Sequence, residues 1–364
     1  MTKRTHCLAA ACLALSSLPG EATPGNVPPD ATPPPPCVAT ATQAPICGLR
    51  APEDLDTLWE SQLLVVQMRG MTGKGESNFA TIDAETAAVR VLPQRESAGA
   101  PPWGDGSCRG PDRTPGFHGF DRWTGPDGRV RIVVVNHGTR STIERYRVDA
   151  DRATASLAWE GCVTVPSDIE LNDVAALPGD GFAATVMGEA RHFGNAEGLE
   201  FLLSGEITGQ LVTWSPAKGW ERLAGSRAAF PNGVVASPDG RTLWFAAWTG
   251  REVLRYDRDT DTVAGRVRLG FLPDNLSWSR EGTILTAGIP SAASVRECWI
   301  KGAEVCDDAF EVSEIDPAAM TARTIASGPA GQLGGASVAV RLGEALYVGA
   351  FSGDRVLRIG PGAR

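Results

Sequence analysis

The 364-residue chain carries 34 Lys and Arg against 43 Asp and Glu, a net charge of −9 with a pI near 5.1. That balance excludes the basic face a nucleic-acid partner requires. Hydrophobic residues at 42% supply a sizeable core, 42 Gly and 26 Pro suit short strands joined by tight turns, and no apolar run is long enough for a membrane-spanning helix.

In chain order, Lys3, Arg4 and His6 precede an apolar run over residues 7–18 and the small-residue stretch Gly20-Glu21-Ala22. This is the pattern of a secretion signal over residues 1–22, so the protein is expected to be secreted or periplasmic. Lipidation of Cys12, after Leu8-Ala9-Ala10-Ala11, is the minor alternative. Residues 23–44 include Pro33-Pro34-Pro35-Pro36 and read as an extended tether, and residues 45–364 as one domain. Six cysteines lie beyond the leader, an even count that favours disulfides in an exported chain. We expect Cys37–Cys47, Cys108–Cys162 and Cys298–Cys306. The absence of C-x-x-C argues against a zinc or redox motif.

One unit then recurs: a polar residue opens a short apolar strand, a Gly-containing turn follows, then a more apolar strand and an outer strand ending in an acidic turn. Its clearest copy is Asn232-Gly233-Val234-Val235-Ala236, Ser237-Pro238-Asp239-Gly240 and Leu243-Trp244-Phe245-Ala246, a hairpin signal. Other copies open at Glu53-Asp54, His118, Asn172-Asp173, Asp274-Asn275 and Ala336-Ser337, making six. Four short strands per copy at this spacing predict an all-β, six-bladed β-propeller with four-stranded blades. A β-sandwich would need no polar residue at the head of every unit.

The innermost strand of each propeller blade lines the central tunnel, so these six heads should converge. Apart from His118 the candidate metal ligands are oxygen donors, which select a hard cation, and calcium tolerates amide and carboxylate oxygens better than magnesium does. Asn-Gly and Asn-Asp pairs are also ordinary turn formers. Six coincident positions favour ligation, because buried unpaired carboxylates call for a counter-cation. His137 ends the apolar strand that returns antiparallel from His118, which should bring both histidines to one mouth as candidates for chemistry. His192, in a polar stretch, reads as a loop residue. G-x-S-x-G, H-E-x-x-H, Walker and dinucleotide patterns are absent, so hydrolysis would use metal-activated water.

Glu53-Asp54-Leu55, Phe117-His118-Gly119, Asn136-His137, Leu171-Asn172-Asp173, Asn232-Gly233 with Ser237-Pro238-Asp239-Gly240, and Asp274-Asn275-Leu276-Ser277 resemble, in order, the arylesterase/paraoxonase family. The wider superfamily includes gluconolactonase and regucalcin. The resemblance implies two calcium ions. Glu53, Asn172, Asn232, Asp274 and Asn275 would hold the catalytic one; Asp54, Asp173 and a backbone carbonyl near Phe120 would hold a structural one. It also implies hydrolysis of lactones and aryl esters, with His118 and His137 as the histidine pair. Three departures stand out. No cysteine follows Cys306 to join the chain ends, Thr185-Val186-Met187-Gly188 replaces an Asn-Asp-His stretch, and the tether replaces an amphipathic N-terminal helix. The expected partner is a small lactone or ester substrate and the expected state a monomer. A gluconolactonase-type sugar lactonase with one metal and no histidine pair, and a non-catalytic calcium-stabilised binding propeller, are the alternatives.

Overall fold

The computed structural model describes residues 37–40, 43–69, 76–95, 103–149, 154–301 and 305–360. The signal segment, Cys12 and most of the tether lie outside them. Among the described residues strand dominates, with two short α-helices, Ala196–Leu202 and Ala293–Lys301, and a 3₁₀ turn at Ala190–His192. The fold is all-β and propeller-like. Among the described residues no helix is long and apolar enough to cross a membrane.

The clearest repeat unit folds as its residues dictate. Strands Pro231–Ala236 and Thr242–Ala247 pair antiparallel across the Ser237-Pro238-Asp239-Gly240 turn. There the Gly240 N–H donates to the Ser237 carbonyl at 2.8 Å and Gly240 adopts φ +69°, which favours glycine. Strands Glu252–Asp257 and Thr262–Arg268 complete a four-stranded sheet. Sheets begun by Pro52–Trp59 and Ile169–Leu177 are also four-stranded.

Six separate four-stranded sheets were expected, but the described strands pair into five sheets. The difference lies in the 22-residue strand Thr321–Leu342. Its first part pairs with Asp308–Asp316 and its last part with Ala345–Ser352, fusing two units into a seven-stranded sheet. The sheet begun by Phe117–Thr124 is extended to six by the short parallel strands Gln94–Arg95 and Trp103–Gly104.

Apolar layers fill the space between neighbouring sheets. One packs Ala175, Ala183 and Leu211 against Val234, Leu243, Phe245 and Tyr256 of the next sheet. Another packs Leu55, Leu63 and Val65 against Val338, Tyr347 and Val356, uniting the first and last units. Each such buried side chain contributes about 1.5–3 kcal/mol. Strand Gln43–Cys47 pairs antiparallel with Arg355–Ile359, so the first and last described strands meet through backbone hydrogen bonds. Gln43 and Ala44, read as tether, thus belong to the sheet. The three expected disulfides, Cys37–Cys47, Cys108–Cys162 and Cys298–Cys306, are formed.

The first strand of each unit contacts the first strand of the next. Pro52–Trp59, Phe117–Thr124, Ile169–Leu177, Pro231–Ala236, Leu272–Trp278 and Thr321–Leu342 follow one another, and the last returns to the first. Glycine permits the close approach. A Cβ on Gly233 would lie 2.6 Å from the Leu276 nitrogen and 2.7 Å from the Asp274 carbonyl, both rigid backbone. Gly233→Ala is therefore expected to destabilise the fold by more than the roughly 1–3 kcal/mol of ordinary overpacking. Chemical denaturation checks this; an unchanged midpoint would show that the inner strands can separate freely.

Candidate functional site

Each inner strand breaks its ladder at the residues that head its repeat. Register shifts fall between Pro52 and Asp54, Phe117 and Phe120, Leu171 and Val174, Pro231 and Val234, Pro273 and Leu276, and Ala336 and Val338. The residues skipped are Glu53, His118-Gly119, Asn172-Asp173, Asn232-Gly233, Asp274-Asn275 and Ser337. Bulges re-aim side chains and free backbone groups from the ladder, which is how a strand start becomes a site.

Glu53, Asp54, Asn172, Asp173, Asn232, Asp274, Asn275 and Ser337 are all buried. They are brought together. The Asn275 amide donates to Glu53 Oε1 at 2.6 Å, and Ser337 Oγ donates to the Glu53 carbonyl at 2.6 Å. Asn232 hydrogen-bonds the Asp274 carboxylate. The Asn172 amide reaches Met187 Sδ at 3.9 Å.

Two subsets emerge. Asp54 accepts the Leu55 N–H at 2.8 Å and the Phe120 N–H at 3.0 Å. Asp173 accepts the Val174 and Val234 N–H groups, both at 2.7 Å. These carboxylates clasp their own strand to the next one. At Phe120 it is the N–H, and not the expected carbonyl, whose contact to this subset is seen. In the other subset Glu53 Oε2, Asn172 Oδ1, Asn232 Oδ1 and Asn275 Oδ1 are buried with no hydrogen-bond partner. Four oxygens without donors, beside the Asp274 carboxylate, are costly unless something positive meets them.

The electrostatics agree. Burial pushes Glu53, Asp54, Asp173 and Asp274 well above the usual carboxylate range, and mutual repulsion adds to it: Asp274 on Glu53, Glu53 on Asp54, Asp54 on Asp173, Asp173 on Asp274. No lysine or arginine pairs with them among the described residues. The donor set fits a hard, oxygen-seeking cation such as calcium.

His118 and His137 meet, with Nδ1 of His118 3.4 Å from Nε2 of His137. Nε2 of His118 lies 3.9 Å from Glu53 Oε1. Their side chains are 17% and 28% exposed, so solvent reaches the pair while the ring of oxygens beside it is sealed. Burial, reinforced by His137, lowers the His118 pKa to about 3; burial lowers that of His137 to about 4. Both are neutral at pH 7, with a lone pair available. His192 sits in the 3₁₀ turn with its ring 4.6 Å from that of Phe201, apart from this pair. Another group of ligand atoms, on Cys108, Glu144 and Cys162, is a disulfide beside a carboxylate, with no free thiolate for a metal.

Sequence reading missed Glu170, whose Oε2 lies 3.4 Å from His137 Nδ1. The available signal was its place two residues before Asn172 on the same strand.

Residues 123–295 match the family described as the SMP-30/Gluconolactonase/LRE-like region. They include His137, Asn172, Asp173, Asn232, Asp274 and Asn275, whereas Glu53, Asp54 and His118 precede them. No curated protein matches the sequence. Among solved structures the chain is similar to a luciferin-regenerating enzyme, at 15% identity over 87% of this chain and 93% of that one, with a TM-score of 0.52. It is also similar to a proposed gluconolactonase, at 14% identity over 90% and 94%, TM-score 0.48. A protein of unknown function from Desulfotomaculum acetoxidans DSM 771 shows 12% identity over 85% and 89%, TM-score 0.40. Residues 123–295 are thus similar to the SMP-30/Gluconolactonase/LRE-like region, and the luciferin-regenerating enzyme shares the fold of the chain.

Proposed function

We propose that the protein is a calcium-dependent hydrolase of lactones and aryl esters, exported from the cytoplasm. On this reading the two arms of the seven-stranded sheet act as separate blades, giving six around a central tunnel. The observation that carries the proposal is the set of four donorless buried oxygens next to a neutral histidine pair. Glu53, Asn172, Asn232, Asp274 and Asn275 would hold the catalytic calcium; Asp54 and Asp173, with a carbonyl near Phe120, would hold a structural one. Bound there, calcium supplies Lewis-acid polarisation of a substrate carbonyl, worth several kcal/mol in such sites.

The remaining work falls to the chain's own side chains. With His118 Nδ1 as the donor to His137 Nε2, His118 Nε2, the nitrogen near Glu53, keeps its lone pair free. That nitrogen takes a proton from water as the water oxygen bonds to the carbonyl carbon. The same proton then goes to the departing ring or aryl oxygen.

The matched family model favours a second reading, a sugar lactonase. Against it stands an apolar cluster that includes Met187, Phe230, Trp248, Leu272 and Phe351. Phe230 and Leu272 each precede a polar head by two residues, so this cluster borders the site and suits an apolar substrate. Turnover of a long-chain lactone, an aryl ester and gluconolactone, each with and without chelator, tests the choice. The first two should be hydrolysed and be chelator-sensitive. Faster turnover of gluconolactone would establish the sugar lactonase, and no turnover with calcium bound would establish a binding module.

A further inference from the structure

We propose that Asn136 is a positioning residue that sets the spacing of the histidine pair, its amide oxygen tying together the two chain segments that carry His118 and His137. The inference rests on the hydrolase reading above for its effect on rate, but not for its geometry. Strands Phe117–Thr124 and Val130–His137 pair antiparallel, with Phe117 opposite Asn136 and Phe120 opposite Val134. His118 falls in the bulge between those pairs and His137 lies past the last of them, so this ladder does not set the distance between the two rings. At that end the segments are joined by the His137 N–H, which donates to the Gly116 carbonyl at 2.7 Å, and by the Asn136 side chain. Asn136 Oδ1 accepts the Gly116 N–H at 2.8 Å and the Gly138 N–H at 3.1 Å. Gly116 stands two residues before His118, and Gly138 directly after His137. One oxygen thus grips both segments beside their histidines, whose ring nitrogens meet at 3.4 Å.

The amide is held in that orientation. Its Nδ2 faces acceptors alone: the Asp112 carboxylate at 3.1 Å, the Thr142 hydroxyl at 3.0 Å and the Arg140 carbonyl at 3.1 Å. The Thr142 hydroxyl donates to Glu144 Oε1 at 2.9 Å, which leaves it an acceptor toward Asn136. A flipped amide would set its hydrogens against the Gly116 and Gly138 N–H groups. Asp112 fastens the far side, accepting from the Thr139 N–H and hydroxyl, both at 2.8 Å, and from the Thr114 N–H at 3.0 Å. Asn136 and Asp112 are both buried, and a Cβ on Gly138 would collide with each of them. A buried polar network satisfied in this way specifies one arrangement. Neither residue belongs to the two sets of donor oxygens, so their influence reaches the site through the histidines.

The test uses Asn136→Leu in the full mature chain, which keeps the side-chain volume and removes the amide. Its crystal structure, which needs no substrate, should show His118 Nδ1 and His137 Nε2 moved out of hydrogen-bond reach. Turnover should fall by roughly 10–100-fold in kcat with KM and calcium content nearly unchanged, because small misplacements of reacting groups cost rates of that order. In a His118→Gln background the same substitution should cost almost nothing more, since residues that act as a unit are not additive. Asp112→Asn, an isosteric change that weakens the hold on the amide, should show the same pattern more mildly and serves if Asn136→Leu does not fold. An unmoved histidine pair would assign the spacing to the backbone bond between His137 and Gly116 and overturn the proposal. So would a full additive loss in the His118→Gln background, which marks a general structural role. Separated histidines in a variant whose parent hydrolyses no lactone or ester would leave the positioning role standing and sink the hydrolase reading.

Discussion

If calcium is bound as proposed, stripping it is expected to lower the melting temperature by about 4 °C or more. The expectation follows from the four buried carboxylates of Glu53, Asp54, Asp173 and Asp274, which repel one another with no cationic side chain among them. A ligand that binds only the folded state stabilises it by about 2.7 kcal/mol at one hundred times its dissociation constant. At about 2.1 cal/mol/K of unfolding entropy per residue, each kcal/mol moves the midpoint of a domain as long as residues 45–364 by roughly 1.5 °C. The loss should be larger than that bookkeeping suggests, because removing the ion also exposes the repulsion it screened. Elemental analysis before and after chelation, with thermal melts of both samples, makes the measurement. Metal-free purified protein, with a melting temperature indifferent to added calcium, would sink the ligand assignment for both subsets at once. A protein that holds one ion equivalent and not two would retain the first subset, whose oxygens lack donors, and remove the second, whose carboxylates are already met by backbone N–H groups.

The polar heads were legible because each stands at a fixed place in a recurring unit, and the repeat converts sequence distance into spatial proximity. What put them at the site was not legible. Asn232-Gly233 has the composition of a tight turn, yet it lies inside strand Pro231–Ala236. Its glycine serves the close approach of the Asp274 and Leu276 backbone. The bulges that release Asn172-Asp173 and Asp274-Asn275 from their ladders leave no mark in local propensity, since they answer to the neighbouring strand. Thr321–Leu342 was hidden by Gly328, Pro329, Gly331, Gly334 and Gly335, which read as a linker and not as one strand shared by two units. Gln43–Cys47 was hidden by Pro45 and the adjoining proline tract; an edge strand tolerates proline because its outer N–H groups need no partner. Glu170 escaped notice for a related reason. It precedes the Leu171-Asn172-Asp173 head, and only the fold shows that the bulge beside it faces His137.

Replacing His118 by glutamine is expected to cut lactone hydrolysis by roughly 10²–10⁴ while leaving calcium content and melting temperature nearly unchanged. Glutamine keeps a polar side chain of similar size but lacks the basic ring nitrogen that takes a proton from water in the transition state. The His118 pKa, lowered to about 3 by burial and by His137, sets the pH dependence. A base must be deprotonated to act, so activity should persist as pH falls through 6.5, where an ordinary histidine would lose it. A bound dication next to Glu53 would disfavour the imidazolium further and move the acid limb in the same direction. Asn232→Ala should behave differently. It removes a neutral oxygen that has no other partner, so calcium should bind more weakly and activity should recover in part as calcium is added. The decisive quantity is the contrast: loss in His118→Gln that no calcium concentration restores, against loss in Asn232→Ala that calcium does restore. Full activity of His118→Gln on every lactone and ester tried would make the histidine pair structural, with Glu53 or Asp274 the next candidate base. Calcium rescue of His118→Gln would instead mean that the histidine supports the ion and not the proton transfer.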